Sequence, residues 1–169
     1  MSETAKHRDQ VVQFCKGNGV DLGSSGDPVV PWAIQVDLPS DEYARYNVTR
    51  AEAAIHWRGS AEALPFKDQA LDFIHSAHLI EDFVNWWPLL VEWNRVLKPG
   101  GHLIVSVPDK GRFRAAVARG QGDNLSHRHE SFVGEMEQHM KQLGYVTIFE
   151  RFVNDSPHEY SIIYVGRKP

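Results

Sequence analysis

One stretch constrains this chain more than any other: Gly19-Val20-Asp21-Leu22-Gly23-Ser24-Ser25-Gly26-Asp27-Pro28. Val20 to Leu22 reads as a buried strand, and Gly23 and Gly26 supply the positive φ and bare backbone that a ligand-holding turn needs. In the usual strand, turn and helix unit, the N-terminus of the following helix faces the ligand. Pro28 and Pro31 forbid that helix, because proline inside a helix lacks the N–H and clashes with the preceding turn. The turn must hold its ligand through its own backbone and what neighbouring strands bring beside it.

The rest of the chain supplies those strands. Thr4 to Cys15 reads as a short amphipathic helix through Val11, Val12 and Phe14, with Gly17-Asn18-Gly19 turning into the first strand. "AIQVDLP", "AIHWRG", "LDFIHSA" and "HLIVSVP" read as the second to fifth strands, apolar enough for a sheet covered on both faces. Trp86, Leu89, Leu90, Trp93 and Leu97 recur at helical spacing, Pro88 fits the first turn, and Lys98-Pro99-Gly100-Gly101 ends that helix. Ser131 to Leu143 reads as another helix, with Phe132, Met136, Met140 and Leu143 on one stripe and Gly144 as its cap. "VTIFERFV" and "EYSIIYVGRK" close the chain as an antiparallel pair across Asn154-Asp155-Ser156-Pro157. The expectation is an α/β sandwich with a mixed, mostly parallel sheet and a C-terminal antiparallel hairpin. Gly111 to His127, with Gly120 and Gly122 and no strong period, reads as a mobile loop over a site.

At 169 residues, 42% of them hydrophobic, the chain suits one buried core and a single domain over residues 1–169. A net charge of -4 argues against a sequence-independent nucleic-acid binder, which needs clustered Lys and Arg. No apolar run approaches the ~20 residues of a membrane span and no leader pattern opens the chain, so a soluble, cytoplasmic protein is expected. Cys15 stands alone, which rules out an internal disulfide and suits a small buried hydrophobe.

Ligands of open α/β sheets lie at the C-terminal ends of the strands, where strand order reverses. Three segments converge there: Gly23-Ser24-Ser25-Gly26, Asp37 as a carboxylate for a ribose diol, and Gly59-Ser60-Ala61-Glu62-Ala63-Leu64-Pro65-Phe66 as a turn that could enclose a planar base. The G-x-G-x-x-G and G-x-x-x-x-G-K-[ST] spacings are missing, which disfavours a dinucleotide and a triphosphate. A nucleoside without phosphate remains, and S-adenosylmethionine is the common one.

Taken together, "VDLGSSG", "QVDLP", "GSAEALPF", "LDFIHSAHLIEDF" and "WNRVLKPGGHLIVSVPD" resemble the class I S-adenosylmethionine-dependent methyltransferases, in the type 11-like group, over about Val20 to Asp109. The short Pro-rich crossover "DPVVPWA" resembles a subset found among glycan and cell-surface biosynthesis enzymes. The resemblance implies a Rossmann-like fold whose seventh strand inserts antiparallel beside the fifth. It implies S-adenosylmethionine as cofactor, with Asp21, Gly23, Ser24, Ser25 and Gly26 receiving the methionine moiety and Asp37, beside Leu38, taking the ribose hydroxyls. Ser60, Ala61 and Glu62 fall where the family holds the adenine edge, Ser60 standing where an Asp is usual, and Ser76 and His78 fall beside the transferable methyl.

Methyl transfer from a sulfonium needs collinear positioning and a dry site more than a metal or a covalent intermediate. A proton-bearing nucleophile also benefits from a base, for which His78, His129 and Asp109 are the candidates. Each has an alternative reading: His78 as local packing, His127 and His129 with Glu130 as solvated loop polar groups, Asp109 as a turn cap. A metal held by His127-Arg128-His129-Glu130 has no further ligand cluster to complete it. Trp86, Trp87 and Trp93 read as core more readily than as a stacking platform. Lys110, Arg112 and Arg114 could grip an anion or coat a turn; Asp41, Glu42, Tyr43 and Tyr46 could line the ribose side or the surface. The expected function is methyl transfer to a small-molecule or glycan-linked acceptor, most simply at oxygen. The absence of an Asn- or Asp-Pro-Pro-Tyr motif separates it from the amino-methylating DNA enzymes. A non-catalytic interaction or regulatory subunit, a nicotinamide-dependent oxidoreductase and a homodimer stay open on the sequence.

Overall fold

The computed structural model describes residues 2–38, 55–156 and 158–169. In chain order these form α1 (Glu3–Val11) with a 3-10 turn (Val12–Phe14), β1 (Gly19–Leu22), β2 (Ile34–Asp37), β3 (Trp57–Arg58), β4 (Leu71–Ala77), a 3-10 turn (Ile80–Asp82) and α2 (Trp86–Val96). Next come β5 (Leu97–Pro108), α3 (Lys110–Ala118), α4 (Glu135–Gln142), β6 (Val146–Phe152) and β7 (Ser161–Arg167). The strands make one sheet in the order β3-β2-β1-β4-β5-β7-β6. β1 to β5 pair in parallel, and β7 enters antiparallel between β5 and β6. Strand order reverses between β1 and β4, so the C-terminal ends of those two strands frame the crevice where a ligand fits an open sheet.

Strand pleating sends alternate side chains to opposite faces, and each face is covered. On one, Val20, Leu22 and Ile74 pack with Trp86, Leu89, Leu90, Trp93 and Val96 of α2 and Met136 and Met140 of α4. On the other, Phe73, Ile104, Ile163 and Val165 pack with Val11 of α1 and with Val29, Val30 and Ala33 of the crossover. That crossover contains no helix among its residues, as Pro28 and Pro31 require. The place of the missing helix is taken by α1 together with the crossover's own valines.

Local chemistry sets the helix ends. Ser2 caps α1 by accepting from the Ala5 N–H at 3.0 Å, and Asn85 caps α2 by accepting from the Trp87 N–H at 3.0 Å. Pro88 sits in the first turn of α2, where no intrahelical bond is lost. After α4, Gly144 takes φ 85°, and the N–H groups of Gly144 and Tyr145 close on the carbonyls of Lys141 and Met140.

Several sequence expectations are corrected. The buried stripe of α1 is Thr4, His7 and Val11, whereas Val12 is exposed and Phe14 only half-buried, because the helix tightens to 3-10 at Val12. Leu97 opens β5 instead of closing α2; Lys98 to Gly101 form a bulge opposite the register shift between Leu71 and Phe73. The supposed loop Gly111 to His127 begins as α3, because the Asp109 carboxylate accepts from the Arg112 N–H at 2.9 Å and starts a helix running to Ala118. The helix expected from Ser131 starts at Glu135, since Gly134 sits at φ 84°, and Phe132 is left exposed. Asp41, Glu42, Tyr43, Tyr46, the opening Ala54 of the third strand run and Pro157 lie outside the described residues.

Candidate active site

The turn after β1 is held from both sides. Gly23 takes φ 71° and donates its N–H to the Val36 carbonyl at 2.9 Å; a Cβ there would press on the Leu79 side chain at 3.3 Å. Ser25 and Gly26 follow at φ 48° and 77°, and Ser24 donates from Oγ to Gln35 Oε1 at 3.1 Å. Asp37, ending β2, accepts from the Ser25 N–H at 2.8 Å on one oxygen and from the Leu38 N–H at 2.9 Å on the other. A carboxylate has about four lone-pair positions, so Asp37 braces the turn and keeps acceptor capacity for a diol.

Asp21 points elsewhere. It is buried, with Oδ1 accepting from His75 Nδ1 at 2.8 Å and Oδ2 accepting from the Val29 N–H at 2.6 Å. Its carboxylate therefore fixes the crossover and β4, and only its backbone belongs to the turn.

The third wall, residues 60–66, hangs from α2. Trp93 donates its indole N–H to the Ala61 carbonyl at 2.9 Å, and Glu92 Oε1 accepts from the Leu64 N–H at 2.8 Å. Arg95 donates to the Phe66 carbonyl at 2.9 Å and pairs with Glu92 and Asp68. Ala61 is buried, while Ser60 and Glu62 are exposed and Ser60 Oγ accepts from the Glu62 N–H at 3.1 Å. Glu92 and Arg95 escape the sequence reading because their partners lie some thirty residues upstream, a separation at which helical and strand periodicity carries no signal.

At the end of β4, Ser76 is buried with its hydroxyl oxygen lacking a hydrogen-bond partner. His78 takes φ 52°, a left-handed conformation that costs a non-glycine residue energy. Its Nε2 meets Ser161 Oγ at 2.8 Å and Glu3 Oε2 at 3.5 Å, and its Nδ1 lies 3.4 Å from Glu81 Oε1. Burial pulls the His78 pKa down to about 4, so the ring is neutral at neutral pH. Glu81, wholly buried and with neither oxygen hydrogen-bonded, is pushed well above the carboxylate range by burial, and His127 approaches it at 3.7 Å. Glu81 went unnoticed in the sequence because nothing local distinguishes it from the neighbouring Asp82.

The side chains of the other candidates are engaged elsewhere, although the His129 N–H donates to the Glu81 carbonyl at 3.0 Å. Asp109 caps α3, and His129 Nε2 meets Glu135 Oε1 at 2.6 Å with its ring over Trp86. Lys110 and Arg114 both pair with Glu130, and Arg112 lies 3.4 Å over the Phe152 ring. Trp86 and Trp93 are core residues, and Trp87 is partly exposed. Among the described residues, no group of three or more His, Cys, Asp or Glu is placed to hold a metal ion, and no helix is long and apolar enough to cross a membrane.

Known proteins bear out the architecture. The family model described as "Methyltransferase domain" matches residues 29–105. A solved Thermotoga maritima S-adenosylmethionine-dependent methyltransferase, described as a possible histamine N-methyltransferase, superposes with a TM-score of 0.70 at 23% identity, covering 96% of this chain and 88% of that one. The fold is that of the class I methyltransferases. The bifunctional biotin-biosynthesis protein BioHC of Cellvibrio japonicus is 38% identical over 143 residues, 81% of this chain and 28% of that protein. An uncharacterised Methanocaldococcus jannaschii protein is 28% identical over 138 residues, 79% of this chain and 66% of its own length. The chain thus spans from under a third to about two thirds of these curated relatives.

For a methyltransferase domain, the family match and the structural likeness imply S-adenosylmethionine as cofactor. The residues fit such a group: the Gly23 turn at positive φ and tight against Leu79, the Asp37 carboxylate with acceptor capacity to spare, and an apolar-backed turn at residues 60–66.

Proposed function

We propose that this methyltransferase domain transfers the methyl group of S-adenosylmethionine to a small-molecule or glycan-linked acceptor, at an oxygen in the simplest case. The observation that carries the reading is the Gly23 to Gly26 turn braced by Asp37 at the point of strand reversal. When bound, the sulfonium supplies an already activated methyl. The chain's residues bind, orient and exclude water. Asp37 and Leu38 hold the ribose side, Gly23 to Gly26 the amino-acid end, and Ser60, Ala61 and Glu62 the base. Ser76 closes the floor beside β4. His78, hydrogen-bonded to Ser161, takes the acceptor's proton; its lowered pKa keeps the ring neutral at neutral pH and makes it a weak base, so the acceptor's position carries more of the catalysis than proton abstraction. Asp109 and His129 stay with their own structural partners, so the base assignment rests on His78.

Isothermal titration with S-adenosylmethionine and S-adenosylhomocysteine tests the reading. One-to-one saturable binding is expected, and Asp37→Ala should weaken it by about tenfold or more, the loss of charge-assisted hydrogen bonds. No heat from the wild-type protein at millimolar ligand would remove the catalytic reading.

A further inference from the structure

The crossover helix that ordinarily backs the cofactor turn is missing, and the turn's conformation, with Ser25 and Gly26 both at positive φ, has to be imposed by something else. A continuous buried chain reaches it from α1. His75, fully buried on β4, presents Nδ1 to Asp21 at 2.8 Å and Nε2 to His7 Nε2 at 3.0 Å. Donor and acceptor roles follow from the chemistry of the two rings. Asp21 accepts, so His75 donates from Nδ1 and turns its Nε2 to His7. His7 Nε2 completes the chain at that nitrogen, one ring donating and the other accepting.

At its other oxygen Asp21 holds the Val29 N–H at 2.6 Å, three residues beyond Gly26. Two further ties run in parallel: Ser2 and Arg8 both donate to the Asp27 carboxylate, and Arg8 donates to the Pro28 carbonyl at 3.1 Å. Residues 27–29, the exit of the turn, are thereby fastened to α1 at consecutive positions. The groups acting on His7 are His75 on β4, His78 just past its end, and Glu3 and Arg8 from its own helix.

We infer that α1 serves as the backing element of the cofactor turn in place of the missing crossover helix, and that His7 and His75 are positioning residues for cofactor binding, acting through Asp21 and Val29. The inference rests on the cofactor site proposed above, and it names residues outside that site on which its shape depends. Because α1 also carries Glu3 to within 3.5 Å of His78, the same helix touches both the cofactor side and the acceptor side of the crevice.

The test compares His7→Leu, which removes the hydrogen-bonding nitrogen, with His7→Gln, whose amide can donate or accept from nearly the same place. Titration with S-adenosylhomocysteine is run on both and on the wild type, beside amide hydrogen exchange of the ligand-free proteins. His7→Leu should weaken binding about tenfold or more, the scale of a lost hydrogen bond within a chain that ends on a charge, with His7→Gln within about threefold of wild type. In the ligand-free proteins the Val29 amide and residues 23–27 should exchange faster in His7→Leu than in His7→Gln, while the amides of β4 and β5 are unchanged. Equal binding by His7→Leu and wild type, or an equal loss in both variants, would overturn the inference. If the wild type binds no S-adenosylhomocysteine, the proposed function fails by itself, and the exchange comparison still decides whether α1 shapes the turn.

Discussion

His7 and His78 are buried enough to be neutral, with pKa values pulled down to about 3 and about 4, chiefly by desolvation. A histidine whose folded pKa lies below its unfolded value of about 6.5 adds stability that is present above pH 6.5 and is lost as pH falls toward the folded value. Glu81 works in the opposite sense: its raised folded pKa costs stability as pH climbs through and above the ordinary carboxylate range. Comparing wild type with His7→Gln isolates one group. Between pH 7 and pH 5 the wild type should lose about 2 kcal/mol more than the variant, read from urea unfolding at each pH. The residue scale also shows what the sequence could disclose. Gly23, Gly26 and Asp37 were legible because each follows an apolar strand run, and position along the chain fixes position on the sheet edge. Asp21 was legible as part of the turn but not as the partner of His75, 54 residues away, because side-chain pairing across strands leaves no periodic trace.

Among the elements, α2 does more than cover the sheet. Its apolar stripe packs into the core, while Glu92, Trp93 and Arg95 reach back to the turn at residues 60–66. Glu92→Ala would leave the Leu64 N–H and the Arg95 guanidinium each short of a partner. Destabilisation of about 1–3 kcal/mol is expected, since Glu92 is only slightly exposed and its pair is hydrogen-bonded on both sides. The checking measurements are the shift in chemical-denaturation midpoint and the S-adenosylhomocysteine Kd, which should rise if the turn encloses the base. The stripe of α2 was plain from its three- and four-residue spacing. The 110–118 helix was not, because α3 buries only Phe113 and Ala116 and so shows too narrow a stripe. Its starting signal, the Asp109 cap, was read as one of two possibilities and turned out to begin a helix.

Over the whole molecule, the mixed, mostly parallel sheet was foreshadowed by the alternation of strands and helical runs and by the closing hairpin, whereas the antiparallel insertion of β7 beside β5 was implied only by the resemblance to the class I methyltransferases. The net charge of -4 predicts that no duplex DNA shifts in a gel-mobility assay at about 0.15 M salt, because there is little positive charge to release counterions. Backbone strain is unevenly spread: of the three described non-glycine residues with positive φ, Ser25 and His78 stand at the strand ends framing the crevice, and Gln69 alone lies elsewhere. Strain of that kind persists only where the surroundings enforce it, and glycine relieves it. Directed evolution rewarded for heat resistance alone would drift toward glycine at position 25, erasing a hydroxyl at the crevice, whereas at position 78 the packed imidazole and its bond to Ser161 hold the strained residue in place.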